Sequence, residues 1–231
     1  QLGGLPEGTN PFDTAGIAEG LGYDSQATTA AIRQSLRQAG AEAGEQLAVV
    51  GYSQGGIHAM NLSKDKAFLA EFDLKFVLTA GSPVGGINPE PGIGSLHLEH
   101  QHDWVPGADG LANADTKDRV TVTLTNDLVL PPPHDFGLGP GHRLENYAAG
   151  AEAVSASRDP SLRASTAALA AVVGVGGSAT VTRFSLRREP LPAQGVVTAP
   201  GADRRTRVLP PSRPLADAPQ AAKAAPAGVP G

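Results

Sequence analysis

An apolar run that leads directly into a glycine-rich hexapeptide constrains the fold of this chain more than any other feature. Residues 47–50 read Leu-Ala-Val-Val, and residues 51–56 read Gly-Tyr-Ser-Gln-Gly-Gly. A short apolar run bounded by turn residues predicts a strand that is buried on both faces of a parallel sheet. A helix is predicted directly afterwards, over residues 54–63. The chain must therefore pass from strand to helix through a very tight turn at Ser53.

Further along the chain, strands alternate with helices or long crossovers, which predicts an open, mostly parallel α/β sheet with flanking helices. Apolar or alternating runs predict three more strands, at residues 74–79, 95–100 and 120–125. Other helices are predicted at residues 25–39, with Ser25 as the capping residue, and at residues 142–157 and 161–173.

Composition divides the chain into three parts. Residues 1–24 are rich in Gly, Pro and Asn and are predicted to be an irregular segment, and residues 25–186 are predicted to form the α/β domain. Residues 187–231 contain nine of the 20 prolines and carry a net charge of +4, against −9 for the rest of the chain. This last part is predicted to be a disordered tail, because it has too little apolar surface to offset the entropy of ordering. A basic arm that binds a partner is the alternative.

Several classes of protein are excluded or disfavoured. The net charge of −5 argues against a general nucleic-acid binder, and the absence of cysteine excludes disulfides, thiolate zinc sites and cysteine nucleophiles. The longest apolar run, residues 167–175, falls short of the ~20 residues that a transmembrane helix needs. The residues after Gln1 also lack the pattern of a signal peptide.

The turn at Ser53 has the chemistry of a nucleophile. Its tightness predicts a strained backbone at Ser53 and a steric need for glycine at both Gly51 and Gly55. Such a turn presents the hydroxyl at the carboxyl edge of the sheet, beside the start of a helix. The backbone N–H of Gln54 is then placed to donate a hydrogen bond to an oxyanion.

A serine hydroxyl needs a general base, and the base needs an acid that orients it. Asp103 follows the third predicted strand and precedes a Val-Pro turn, which makes it the preferred acid. Glu99 and Asp109 are the competing carboxylates.

The preferred base is His142, because it ends a glycine-rich loop after the fourth predicted strand and begins a helix. His134, which follows three consecutive prolines, is the second choice. Trp104 adjoins the proposed acid and is a candidate to shield the acid and base from water.

Four segments in order carry a family resemblance: GYSQGG at 51–56, TAGSPVGG at 79–86, EHQHDWVPGADG at 99–110 and GHRLENYAAGAEAV at 141–154. Over residues 8–175 the chain resembles actinobacterial α/β-hydrolases of the serine esterase type, and more distantly cutinase-like and PE-PPE hydrolase domains. The resemblance implies that Ser53, Asp103 and His142 are nucleophile, acid and base. It also implies hydrolysis of small-molecule or lipid carboxylic esters, without a cofactor or metal.

The chain departs from the pattern of that family before the turn at Ser53. A complete α/β-hydrolase has several earlier strands, and a loop after one of them supplies a second oxyanion N–H. Residues 1–46 contain one predicted helix and no convincing strand. We therefore expect the N-terminal strands of the fold to be missing or the sheet to be reduced. Loss of the second donor would slow catalysis by about 10²–10³-fold.

Two other functions compete with ester hydrolysis. His97, His100, His102 and Asp103 could supply ligands to zinc, although residues three apart on a strand point to opposite faces. A hydrolase-like domain that binds a partner and has weak or no catalytic activity is the other alternative. The presence of Ser53, Asp103 and His142 in the expected order favours the enzyme.

Overall fold

A four-stranded parallel sheet organises the part of the chain that the structure describes. The computed structural model describes residues 10–22, 24–130, 137–174 and 179–188. The strands, in the spatial order β1-β2-β3-β4, are β1 (Gln46–Tyr52), β2 (Asp73–Ala80), β3 (Gly94–His100) and β4 (Arg119–Leu124). Each neighbouring pair is parallel, so the predicted parallel α/β architecture is confirmed.

Six α-helices accompany the sheet in these ranges. They are α1 (Thr14–Gly22), α2 (Gln26–Gln38), α3 (Gln54–Leu62), α4 (Lys66–Glu71), α5 (Leu144–Ser155) and α6 (Pro160–Val173). One 3₁₀ turn, Val105–Gly107, follows β3, and another, Pro140–His142, directly precedes α5. The predicted strands and helices agree with these bounds to within about two residues, while α1 and α4 are not predicted.

The sheet is packed on both faces. Phe76 and Val77 are neighbours in β2 and belong to two different hydrophobic clusters, because successive residues of a strand point to opposite faces. The cluster around Val77 includes buried side chains of α3 and α4, and partly buried side chains of α1 and α2 pack against it. The cluster around Phe76 includes Tyr147 of α5 and is joined by Leu162 of α6.

The burial predicted for the first strand is wrong. The side chains of β1 are mostly half-buried, and Val50 is 66% exposed. Within the described residues β1 is one of the two edge strands and pairs only with β2. A strand at an edge is covered on fewer sides than a central strand, which explains the exposure.

The prediction that residues 1–24 are irregular is also wrong where the structure describes them, because residues 14–22 form α1. Asp13 caps this helix, since its Oδ1 accepts a hydrogen bond of 2.9 Å from the backbone N–H of Gly16. A Cβ at Gly16 would collide with the Pro11 carbonyl and with the end of the Gln54 side chain, and one at Gly20 would press on Ile57. The glycines that suggested a loop instead let α1 approach α3 closely.

Ser25 does not cap α2 as predicted. It adopts a left-handed backbone (φ 55°), and its Oγ lies 2.6 Å from Nδ1 of His58 and 2.7 Å from Nδ2 of Asn61. Glu19 of α1 supplies the cap instead, because its Oε1 accepts a hydrogen bond of 3.0 Å from the backbone N–H of Ala27. A serine whose hydroxyl is held by α3 is unable to turn back toward its own helix.

The predicted tail lies almost entirely outside the described residues, which end at Arg188. Residues 1–9 of the N-terminal segment also lie outside them. None of the helices in the described ranges is both long and apolar enough to cross a membrane.

The start of α1 is held by an ion pair between a buried carboxylate and a half-buried arginine. The side chain of Asp13 is fully buried, and its two oxygens accept hydrogen bonds of 2.9 and 3.0 Å from Arg188. These hydrogen bonds, followed by the one from the Gly16 N–H, lower the pKa of Asp13 from 3.8 to about 2. A carboxyl whose pKa is lowered by folding stabilises the fold above its unfolded pKa, and this stabilisation is lost as the pH falls through the folded pKa.

We therefore predict that Asp13→Asn, which keeps an oxygen for the Gly16 N–H, lowers the Tm. The Tm difference from wild type should be greatest above about pH 4 and should shrink as the pH falls toward 2. Thermal unfolding followed by circular dichroism across this pH range measures it. Arg187→Gln, at an exposed neighbouring position, is the control. A Tm difference that does not vary with pH would contradict the prediction.

Candidate active site

The chain turns sharply at Ser53, between β1 and α3. Ser53 has φ 55° and ψ −128°, a conformation that residues other than glycine rarely adopt. A Cβ at Gly51 would collide with the backbone of Gly55 and Gly56, so the steric need for glycine predicted at residue 51 holds. The turn leaves Ser53 half-buried at the carboxyl end of β1.

The same steric prediction is wrong for Gly55. A Cβ there would meet nothing within 4 Å, whereas a Cβ at Gly56 would collide with the side chain of Ser82. Ser82 is itself buried and donates a hydrogen bond of 3.0 Å to the carbonyl of Ala80. The close approach of α3 to the segment after β2 therefore depends on the glycine at 56.

The structure brings together the three side chains that the sequence singles out. Nε2 of His142 lies 2.8 Å from Oγ of Ser53, and Nδ1 of His142 lies 2.7 Å from Oδ2 of Asp103. Asp103 follows β3, and His142 ends the 3₁₀ turn before α5. A Cβ at Gly141 would collide with the backbone of His102 and Asp103, so the loop of His142 reaches Asp103 only because residue 141 has no side chain.

The positions of the protons follow from the chemistry of these groups. An ionised carboxylate can only accept, so Nδ1 of His142 carries the hydrogen and donates it to Asp103. In a neutral imidazole, Nε2 is then an acceptor, and the hydroxyl of Ser53 donates to it. The arrangement can therefore take a proton from Ser53 and stabilise the resulting imidazolium.

The environment of Asp103 keeps this carboxyl ionised. Burial alone raises the pKa of Asp103, but hydrogen bonds from His142, from the Tyr147 hydroxyl and from the Val105 N–H together lower it below its usual value. The Tyr147 hydroxyl donates to Oδ2 at 2.6 Å and accepts from the His100 N–H at 3.2 Å. Gly81, at φ 60°, lies so close that a Cβ there would be 3.0 Å from both the carboxylate and the Tyr147 hydroxyl.

Tyr52 holds His142 from another side. Its ring stacks on the imidazole, with centroids 5.1 Å apart and planes 24° from parallel, and its hydroxyl donates to the backbone carbonyl of His142. Burial raises the pKa of Tyr52 to about 12, so the hydroxyl stays protonated and remains a donor.

Two tyrosines thus support the acid and the base, and sequence reasoning assigned a role to neither. The pattern of α5 predicts Tyr147 as a core residue of an amphipathic helix, and Tyr52 occupies a variable position of the Gly-x-Ser-x-Gly pattern. The tyrosine hydroxyl is the feature of the sequence that could have indicated these roles, because a tyrosine that packs in the interior needs a hydrogen-bond partner for its hydroxyl.

A cavity opens beside Ser53, and Gln54 and Pro83 contribute to its wall. Gln54 begins α3 directly after the serine, so its backbone N–H is at the amino end of the helix. Its side chain points away to other partners, with Nε2 3.2 Å from the Pro11 carbonyl and 3.1 Å from Nε2 of His58. Pro83 belongs to the segment that follows β2, so the cavity wall includes the start of the loop after that strand as well as the start of α3.

The competing acids have other hydrogen-bond partners. Glu99 accepts a hydrogen bond of 2.7 Å from Asn113, and Asp109 accepts one of 3.1 Å from the Leu111 N–H. The competing base, His134, lies outside the described residues. Trp104 is 62% exposed and donates from Nε1 to the Leu138 carbonyl at 2.9 Å.

The histidines proposed as zinc ligands point to separate partners. His97 is buried between Oγ1 of Thr79 at 2.7 Å and Oγ of Ser95 at 3.0 Å, and burial lowers its pKa to about 4. Nε2 of His100 lies 3.0 Å from the carbonyl of Asn126. Within the described ranges, no group of three His, Cys, Asp or Glu side chains is arranged to hold a metal ion.

Comparison with known proteins adds no family assignment to this geometry. No protein-family model and no curated protein matches the chain. Any functional conclusion therefore depends on the contacts of Ser53, His142 and Asp103 themselves.

The two glycines that follow Gln54 give a test of the turn. We predict that Gly56→Ala lowers the free energy of unfolding by about 1–3 kcal/mol, because its Cβ collides with Ser82. Gly55→Ala is the matched control in the same helical turn. It should leave stability unchanged or raise it by up to about 1 kcal/mol, since alanine favours a helix and the space is open. Urea unfolding measures both, and equal destabilisation of the two variants would contradict the packing described above.

Proposed function

We propose that this chain is a serine hydrolase of the α/β-hydrolase type that cleaves carboxylic esters. The observation that carries the proposal is the continuous hydrogen-bond chain from Ser53 through His142 to Asp103. A serine on a strained strand-to-helix turn, joined to a histidine that a buried carboxylate orients, is the arrangement that activates a hydroxyl for acyl transfer.

In the first half of the proposed reaction, Oγ of Ser53 attacks the ester carbonyl carbon. Nε2 of His142 accepts the hydroxyl proton as the new C–O bond forms. The backbone N–H of Gln54 donates to the oxyanion, and the carboxylate of Asp103 stabilises the imidazolium. The tetrahedral intermediate then collapses, and the alcohol leaves with the proton from His142.

In the second half, water hydrolyses the acyl-enzyme. Nε2 of His142 takes a proton from the water, whose oxygen attacks the acyl carbon. Collapse of the second tetrahedral intermediate releases the carboxylic acid and returns the proton to Ser53. The two halves use the same groups, so no cofactor or metal ion is part of the proposed cycle.

Covalent labelling tests the nucleophile and the base. A fluorophosphonate probe should form an adduct that peptide mapping locates on Ser53, and Ser53→Ala should remove it. His142→Ala should slow labelling by about 10²–10⁴-fold, the contribution of a general base.

The matched control is His102→Ala, because His102 is an exposed histidine beside Asp103. Its labelling rate should equal that of the wild type. Labelling that survives Ser53→Ala, or that does not depend on His142, would refute the proposal. The absence of any adduct on a folded wild-type chain would favour the non-catalytic binding domain.

Tyr147 provides a second test, as a positioning residue for Asp103. Tyr147→Phe keeps the buried ring and removes one hydrogen bond to a charged group, so kcat for p-nitrophenyl acetate should fall about 10–100-fold with little change in KM. Because that bond helps to lower the pKa of Asp103, its loss makes Asp103 easier to protonate. The rate at low pH should therefore fall below the wild-type rate by a larger factor than it does near neutral pH.

A merely structural role for Tyr147 would give a different result. The Tm would then fall in step with the activity, and the pH–rate profile would keep its shape. Phe72→Leu, a core substitution remote from Asp103, is the control for packing alone.

A further inference from the structure

A buried histidine that the proposed reaction does not use lies on α3, one helical turn beyond Gln54. His58 is 3% exposed, and both of its ring nitrogens are within hydrogen-bond distance of a neighbouring side chain. Its Nε2 lies 3.1 Å from Nε2 of Gln54, and its Nδ1 lies 2.6 Å from Oγ of Ser25. The imidazole therefore connects the first residue of α3 to the serine that precedes α2.

The hydrogen-bond partners determine which ring nitrogen of His58 carries the hydrogen. The carbonyl of Pro11 can only accept, so the amide atom of Gln54 that lies 3.2 Å from it is the NH2 nitrogen. The second hydrogen of this nitrogen is donated to Nε2 of His58, which must therefore be unprotonated. The hydrogen of the neutral imidazole is consequently on Nδ1, and it is donated to Oγ of Ser25.

Ser25 is held in place for this contact by a third side chain. Its backbone is left-handed, with φ 55°, and its Oγ also accepts a hydrogen bond of 2.7 Å from Nδ2 of Asn61. The same nitrogen of Asn61 donates to the carbonyl of Gly20 at 2.6 Å. The hydroxyl oxygen is thus fixed from α3, and its position favours the tautomer of His58 that accepts at Nε2.

The side chain of Gln54 bears on the peptide that carries the proposed oxyanion donor. This peptide joins Ser53 to Gln54, and its direction is set by the ψ of −128° at Ser53. Its carbonyl accepts a hydrogen bond of 3.0 Å from the N–H of Gly56. On its other side, the Gln54 side chain is buried and bound to Pro11 and His58. A strained backbone persists only where surrounding contacts of this kind enforce it.

Only a neutral imidazole fits this arrangement. A proton on Nε2 of His58 would face the NH2 group of Gln54, so two donors would meet at 3.1 Å. Burial lowers the pKa of His58, although the carboxylate of Glu19 in α1 acts in the opposite direction. The imidazole therefore stays neutral near pH 7 and remains an acceptor.

We propose that His58 is a positioning residue for the oxyanion donor: its Nε2 holds the side-chain amide of Gln54, and this keeps the Gln54 N–H directed at the reacting carbonyl oxygen. The inference rests on the proposed function, since it takes Gln54 as the donor to an oxyanion formed at Ser53. His58 is not among the residues that line the cavity, so it acts through Gln54. The property that it supplies is an unprotonated acceptor, and any side chain that offers one at this point should replace it.

Two substitutions separate the two contacts of the imidazole. The amide of glutamine reaches as far from Cβ as Nε2 of histidine does, so His58→Gln offers an acceptor to Gln54. The amide of asparagine reaches only as far as Nδ1, so His58→Asn keeps the contact with Ser25 and loses the one with Gln54.

The two variants should differ in turnover of p-nitrophenyl acetate. In His58→Asn, kcat should fall about 10–100-fold with little change in KM, which is less than the loss caused by removing a whole oxyanion donor. In His58→Gln, kcat should stay within about threefold of the wild-type value. Equal kcat values in the two variants would overturn the proposal.

A purely structural role for His58 would give another pattern, in which kcat falls only as far as the Tm of each variant does. His97→Gln is the matched control, because His97 is also a buried histidine between two side chains, Thr79 and Ser95. This control should lower the Tm and leave the kcat of the folded enzyme unchanged.

The tautomer can be read by NMR of the wild-type chain labelled with ¹⁵N-histidine. The signals of His58 are those missing from the spectrum of His58→Gln. At pH 6.5, where an exposed histidine is half protonated, they should show a hydrogen on Nδ1 and none on Nε2. A hydrogen on Nε2 at this pH would overturn the inference.

These readouts separate failure of the positioning role from failure of the esterase proposal. If the fluorophosphonate labels Ser53 and His58→Asn is as active as the wild type, the esterase proposal stands and the positioning role fails. If the folded wild type neither reacts with the probe nor cleaves p-nitrophenyl acetate, the esterase proposal fails. The positioning role then fails with it, even where NMR finds the hydrogen on Nδ1.

Discussion

The buried carboxylate of Asp103 binds together the loops on which the candidate site depends. A charged group without access to water must be satisfied by hydrogen bonds, and Asp103 receives them from His142, Tyr147 and the Val105 N–H. These donors come from the turn before α5, from α5 itself and from the turn after β3. Any movement of one loop away from the others leaves the charge less satisfied. The orientation of the imidazole is therefore fixed by the same interaction that stabilises the carboxyl end of the sheet.

Close backbone approach is the second constraint, and it explains where glycine occurs around the site. Gly141 brings the loop of His142 against the backbone of Asp103, and Gly56 brings α3 against Ser82. In both places a methyl group would separate elements whose polar atoms must come within about 3 Å. The catalytic proposal thus depends on residues that carry no chemistry of their own.

Much of this could be predicted from the sequence, because the strands and the turn at Ser53 have strong local patterns. The positions of Asp103 and His142 after predicted strands predict that they meet, and the structure brings them within hydrogen-bond range of each other. The sequence-based predictions are wrong where contacts between residues far apart in the chain decide the local structure. The glycines of α1 pack against α3, and the hydroxyl of Ser25 is held by His58 and Asn61. Neither contact leaves a local pattern, and the hydroxyl of Tyr147 finds Asp103 only in the folded chain.

Helix α1 contributes to the wall of the cavity but carries none of the side chains of Ser53, His142 and Asp103. Ile17 and Leu21 of α1 form part of the cavity wall, and the helix is fastened at its start by Asp13 and Arg188. Arg188 is far along the chain from the residues that would perform chemistry, and it belongs to no strand. The width of this cavity can therefore change through substitutions in α1 or at Asp13 and Arg188 while Ser53, His142 and Asp103 stay in place. A chain built this way can acquire a new substrate range without rebuilding its reacting groups.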